Sequence, residues 1–146
     1  MTTTHETSDR TPTERELEIL KVLWELGEGT VRQVWETLQD RLPIVQNTVQ
    51  AFLRTMEDKG LVTHRTEGRS FVYRPADSRE RTEKRLVGGL LERAFDGAID
   101  QLVASALSVR RPKPDEIARL KELIAAHEEE KARQAAKPRG RRETKR

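Results

Sequence analysis

The chain has 146 residues, of which 34% are hydrophobic and 36% charged, with 28 lysines and arginines against 25 aspartates and glutamates and no cysteine. Globular domains carry about 45–50% apolar residues (glycine included) and about 25% charged ones, so a thick core over the whole length is excluded; small subdomains or a core shared between subunits are expected instead. The missing cysteines exclude disulfides, thiolate metal sites, iron–sulfur clusters and cysteine catalysis.

Residues 1–10 are polar and aperiodic, and are expected to be a disordered lead. They have neither the apolar stretch nor the cleavage site of a signal peptide, and no run in the chain approaches the ~20 apolar residues of a membrane helix. A cytoplasmic protein without membrane insertion is expected. Thr13-Glu14-Arg15-Glu16 is a T-x-x-E capping box opening a helix whose buried stripe is Leu17, Ile19, Leu20, Leu23 and Trp24, ending near Gly27. Thr30-Val31-Arg32-Gln33 is a second box, followed by Val34, Trp35, Leu38 and Leu42 at helical spacing until Pro43. The two tryptophans lie on these stripes and read as core.

A third helix is predicted over Val45–Lys59, stopped by Gly60. At 100° per residue, Val45, Val49, Phe52, Leu53 and Met56 share one face, and Asn47, Gln50, Ala51, Arg54 and Asp58 the opposite one. A merely solvated face is one reading. The other is recognition, since Asn, Gln and Arg make bidentate bonds to purine edges in the major groove and a small Ala admits a thymine methyl. After Gly60 the period switches to two: Leu61–Arg65 and Ser70–Arg74 flank Thr66-Glu67-Gly68-Arg69, a hairpin with a glycine turn and Arg69 at its tip. Three helices followed by a hairpin give a winged helix-turn-helix domain over residues 11–75.

From Ser78 the chain is helical again. Leu86, Val87, Leu90, Leu91, Ala94 and Phe95 form one apolar face, Ile99, Leu102, Val103, Ala106 and Leu107 a second, and Ile117, Leu120, Leu123 and Ile124 a third. Short amphipathic helices bury little alone, so residues 76–127 are expected to be a helical dimerisation region. Its anchors are Leu86, Leu90, Leu91, Phe95, Leu102, Leu107, Leu120, Leu123 and Ile124. Gly88-Gly89 permits a close helix crossing or a kink. Residues 128–146 are expected to be a helix end fraying into a basic tail. The fold class is thus mainly α with a small β-hairpin.

Charge is unevenly placed: 4 basic and 9 acidic groups in residues 1–40, 6 and 3 in 41–75, 10 and 12 in 76–130, and 8 and 1 in 131–146. The sequence pI near 9.4 therefore reflects the last sixteen residues, which are either a phosphate-binding arm or a solubilising segment. The support for DNA binding is the local excess of residues 41–75. His5, His64 and His127 show no metal-ligand spacing, and no Walker loop, G-x-G-x-x-G or G-x-S-x-G occurs. No enzyme, cofactor or metal is expected.

The run Thr13-x-x-Glu16-x-x-Ile19-Leu20-x-x-Leu23-Trp24, then Thr30-Val31, Asn47-Thr48-Val49 with Leu53, Lys59-Gly60-Leu61-Val62 and Gly68-Arg69-x-x-x-Tyr73-x-Pro75 resembles the BlaI/MecI/CopY family of bacterial penicillinase-type repressors. The resemblance runs from about Thr11 to Ala126. It implies a homodimer on a palindromic operator in double-stranded DNA, with Asn47, Thr48, Gln50, Ala51 and Arg54 facing the major groove and Arg69 on the wing. It also implies a membrane sensor protease as a partner. Two departures matter. The copper-responsive branch uses C-terminal cysteines, absent here, and Ser105-Ala106 stands where the β-lactam branch has a cleaved Asn-Phe bond. The patch from Ala104 to Leu107 leaves open a protease of different preference. A winged-helix protein-interaction module without specific DNA binding is the alternative, motivated by the net −2 of residues 1–75.

Overall fold

The structure is a computed structural model and describes residues 10–136; all of the expected lead over 1–10 except Arg10, and the end of the basic tail, lie outside the described residues. In chain order it comprises α1 (Glu14–Leu26), β1 (Gly29–Thr30), α2 (Val31–Leu38), α3 (Gln46–Lys59), β2 (Val62–Glu67), β3 (Ser70–Pro75), α4 (Arg79–Ala94), α5 (Ile99–Val109) and α6 (Pro114–Ala136). Mainly helical structure with a small antiparallel sheet agrees with the fold class read from the sequence. The described residues divide into two compact units, with the boundary after Gly97.

The first unit is built on its caps. Thr13 Oγ1 accepts from the Glu16 amide at 3.2 Å while Glu16 Oε1 accepts from the Thr13 amide at 2.9 Å, completing the expected box. Glu16 is nonetheless buried, because Lys59 Nζ, in the last turn of α3, donates to the same Oε1 at 2.7 Å. The pair ties the start of α1 to the end of α3, and the lysine also sits at the negative end of the α3 dipole. Thr30 and Gln33 form the second box, with bonds of 2.8 and 3.2 Å. Thr30 is also the last residue of β1, a two-residue strand that pairs antiparallel with β3 through Gly29↔Tyr73 and Thr30↔Val72. The sheet therefore has three strands in the order β1-β3-β2, one more than the sequence period showed.

The core packs Ile19, Leu20, Val22 and Leu23 of α1 against Val34 and Leu38 of α2, Val49, Leu53 and Met56 of α3, and Leu61, Val62 and Tyr73 of the wing. Trp24 and Trp35 are half-buried at its edge with both indoles satisfied: Trp24 Nε1 donates to the Asp77 carbonyl at 3.1 Å and Trp35 Nε1 to that of Ile44 at 2.9 Å.

Two boundaries differ from expectation. The second helix closes at Leu38, with Arg41 and Leu42 amides turning back to the Leu38 carbonyl; Pro43 disfavours helical backbone at Leu42, and Gln39 Nε2 with Trp35 Nε1 captures the Ile44 carbonyl instead. Val45, placed on the buried face by its spacing, is the extended N-cap of α3 and 65% exposed. At the far end Gly60 adopts φ 85° and lets the Leu61 amide return to the Met56 carbonyl at 2.9 Å, a left-handed stop that favours glycine. The wing closes in a two-residue turn between the paired Glu67 and Ser70.

Helix α4 belongs to this unit. Ser78 caps it at 3.1 Å, Arg79 lies 5.8 Å over the Trp24 ring, and Asp77 pairs with Arg85 at 3.2 Å. It runs unbroken through Gly88-Gly89. The second unit contains α5 and α6, and neither helix has a buried residue. Helix α6 continues to Ala136, beyond Lys131 where fraying was expected. No helix among the described residues is long and apolar enough to cross a membrane.

Removing Lys59 should leave the Glu16 carboxylate buried with its cap bond alone. Lys59→Ala is expected to cost about 1–3 kcal/mol, and Glu16→Ala at least as much because the cap goes too. Urea denaturation of both single variants and the double variant checks this; additive losses would show that the two side chains do not act together.

Candidate nucleic-acid interface

Because α3 buries Val49, Leu53 and Met56, its opposite side is turned outward: Asn47, Gln50, Ala51 and Arg54 are exposed, and Thr48 is half-buried. An open groove runs between the start of α2, this side of α3 and β3, and its lining includes Gln50, Arg54 and Arg69. Three of the six expected DNA-contacting residues therefore meet in one concavity, whereas Asn47, Thr48 and Ala51 do not line it. The groove adds residues missed by the sequence reading, chiefly Arg32, Gln46 and Phe71. Gln46 was legible in principle, one helical turn before Gln50 and two before Arg54. Arg32 reaches the groove only because β1 docks the start of α2 onto β3.

The arginines differ in commitment. Arg65 is held by both oxygens of Glu28, at 2.7 and 3.0 Å, and lies 3.4 Å from Glu67. Arg32 makes an exposed i,i+4 pair with Glu36 at 3.1 Å, a contact of a few tenths of a kcal/mol, roughly. Arg54 and Arg69 have no ion pair among the described residues. The positive charge of residues 41–75 is thus partly spent on the fold, and what remains uncompensated in the groove is Arg54 beside Arg69. Tyr73 is buried; burial pushes its phenol pKa up, Glu57 adds to this and Arg54 opposes it. Phe71, its alternation partner, is exposed.

Of the expected dimerisation anchors, Leu86, Leu91, Phe95, Leu102 and Leu120 are half-buried, and Leu90, Leu107, Leu123 and Ile124 are exposed. Leu102, Leu107, Leu120 and Leu123 line one cleft between α5 and α6. Ser105 and Ala106 sit inside α5. Among the described residues no group of three or more His, Cys, Asp or Glu side chains is placed to hold a metal.

A family model described as penicillinase repressor matches residues 12–126, most of the chain. The chain belongs to the penicillinase repressor family. A penicillinase repressor of Bacillus licheniformis is 28% identical over 117 residues, covering 80% of this chain and 91% of the relative. Among solved structures, the DNA-binding domain of the repressor BlaI is 31% identical, with 46% of this chain and 82% of that one covered and a TM-score of 0.42. An ArsR-like transcriptional regulator from Rhodococcus sp. RHA1 is 21% identical, with 77% and 100% covered and a TM-score of 0.41. This penicillinase repressor family member is a transcriptional repressor and not an enzyme.

Bidentate hydrogen bonding from Arg65 holds the Glu28 carboxyl below its ordinary value of 4.5. A carboxyl held low stabilises the fold above its unfolded pKa and loses that contribution as pH falls through the lowered one. The clamp between the β1 loop and the wing should therefore persist below pH 4.5. Carbon-detected NMR titration of the Glu28 carboxyl should give a midpoint under that value, returning towards it in Arg65→Ala; identical midpoints in the two proteins would remove the clamp.

Proposed function

We propose that this repressor acts as a homodimer whose two winged-helix heads, within residues 11–75, read the half-sites of a palindromic operator in double-stranded DNA. The observation that carries the reading is the groove in which Gln50 and Arg54 of α3 stand with Arg69 of the wing, the two arginines without ion pairs among the described residues. Arg54 has the fork that matches guanine O6 and N7, Asn47 and Gln50 match adenine N6 and N7, and Ala51 is small enough for a thymine methyl. Thr48 and Arg69 are assigned to the DNA backbone, where hydroxyl and guanidinium donors fix register. The homodimer is supported by the apolar residues that α4, α5 and α6 leave in water, including Leu123 and Ile124 at 59% and 60% exposure. A second subunit would supply the cover these helices lack, making residues 76–127 the dimerisation region. If a membrane sensor protease ends repression at Ser105-Ala106, it must first open α5, because cleavage requires extended chain.

Selection of duplexes from fragmented genomic DNA by the purified full chain should enrich palindromes with half-sites about 10 base pairs apart or a multiple of that. On such a duplex Arg54→Ala should cost about 1–3 kcal/mol, and less on random DNA. Equal losses on both would make Arg54 a phosphate contact, and no enrichment at moderate salt would favour a protein-interaction module. Replacing Leu123 and Ile124 together by Asp should give a monomer in analytical ultracentrifugation; a surviving dimer would place the interface elsewhere.

A further inference from the structure

Phe71 presents a second chemistry in the groove. It lies on the face of β3 that carries Tyr73, is 46% exposed, and lines the same concavity as Gln50, Arg54 and Arg69. Its ring is held in place. The His64 imidazole stacks on it with centroids 4.2 Å apart and 24° between planes, and His64 Nδ1 lies 2.8 Å from each carboxylate oxygen of Glu57 in α3. Buried Tyr73 closes the cluster, 5.4 Å from His64 and 6.3 Å from Phe71. A chain of contacts thus runs from α3 through Glu57 and His64 to an apolar ring fixed at the solvent boundary, among arginine and glutamine side chains. Leaving nearly half of a phenylalanine in water forgoes hydrophobic stabilisation, whereas a ring immobilised in advance loses little freedom on contact.

We propose that Phe71 is a DNA-contacting residue that packs against apolar C–H surface of the bound duplex, either a thymine methyl or a deoxyribose, and that His64 and Glu57 are its positioning residues. The proposal rests on the operator-binding reading. It adds an aromatic contact to an interface that, Ala51 apart, is otherwise made of donors and charges. A thymine methyl would make Phe71 a reader of sequence, and a deoxyribose would make it a register contact on the backbone.

The test uses the full chain and a fluorescein-labelled duplex enriched by selection, with affinity read from anisotropy. Phe71→Ala should weaken binding roughly three- to tenfold, and Phe71→Leu less, without changing the slope of log affinity against log salt, because no phosphate is neutralised. His64→Ala should weaken binding less than Phe71→Ala does and add nothing to it in the double variant. Deoxyuridine placed at each thymine in turn separates the two sources. For a methyl contact, one substitution reproduces the loss in the wild-type chain and abolishes the sensitivity to Phe71→Ala. For a deoxyribose contact, the Phe71→Ala loss persists on every substituted duplex. Wild-type affinity in Phe71→Ala, or a loss accompanied by a flattened salt slope, overturns the proposal. Should Phe71→Ala fail to fold by circular dichroism, Phe71→Leu decides, and unchanged affinity for that variant on every duplex overturns it. Failure of the wild-type chain to enrich any duplex is a separate result, which removes the operator reading itself and this contact with it.

Discussion

What α3 offers to solution depends on how its far end is fastened. Lys59, in its last turn, reaches a carboxylate already engaged in capping α1, and the Glu16–Lys59 pair is sheltered enough that water competes poorly for either group. The core residues Val49, Leu53 and Met56 set which side of α3 faces inward, but apolar packing alone tolerates small slips along the helix axis. A charge-assisted bond at one end does not. With the opposite end capped by Val45, which makes no side-chain cap bond, the axial position of Gln50 and Arg54 is referred chiefly to Glu16, more than thirty positions away in sequence.

The same economy appears in the charges. A chain with 36% charged residues has many arginines, but those of the first unit fall into distinct groups. Arg65 fastens the wing to the loop before β1 through Glu28, and Arg85 fastens the start of α4 through Asp77. Arg54 and Arg69 have no ion pair among the described residues. Formal charge summed over a segment counts all of them alike, so the positive balance of residues 41–75 overstates what a polyanion would meet.

Much of this was legible in the sequence where local rules govern. Both capping boxes, the glycine stop after Lys59 and the change of period at Leu61 are signals written within a few residues, and each formed. What was not legible depends on partners distant in the chain. A strand of two residues, Gly29 and Thr30, has no period to detect, so β1 became visible only through its pairing with Tyr73 and Val72. Val45 fitted the apolar stripe but fell one residue before the helix began. The proposed site was read in part for the same reason. Helical spacing identified Gln50 and Arg54, whereas Phe71 required knowing that His64 would cover one side of its ring and leave the other open. Arg65 counts towards the positive excess of residues 41–75, and its partner Glu28, 37 residues away, lies outside that segment.

Thr30 ends β1 and caps α2 at once. One residue cannot take two orientations, so the direction of α2 and the tilt of the sheet are a single mechanical variable. A displacement of the wing would therefore carry the start of α2 with it through β3, and one rim of the groove would follow the other.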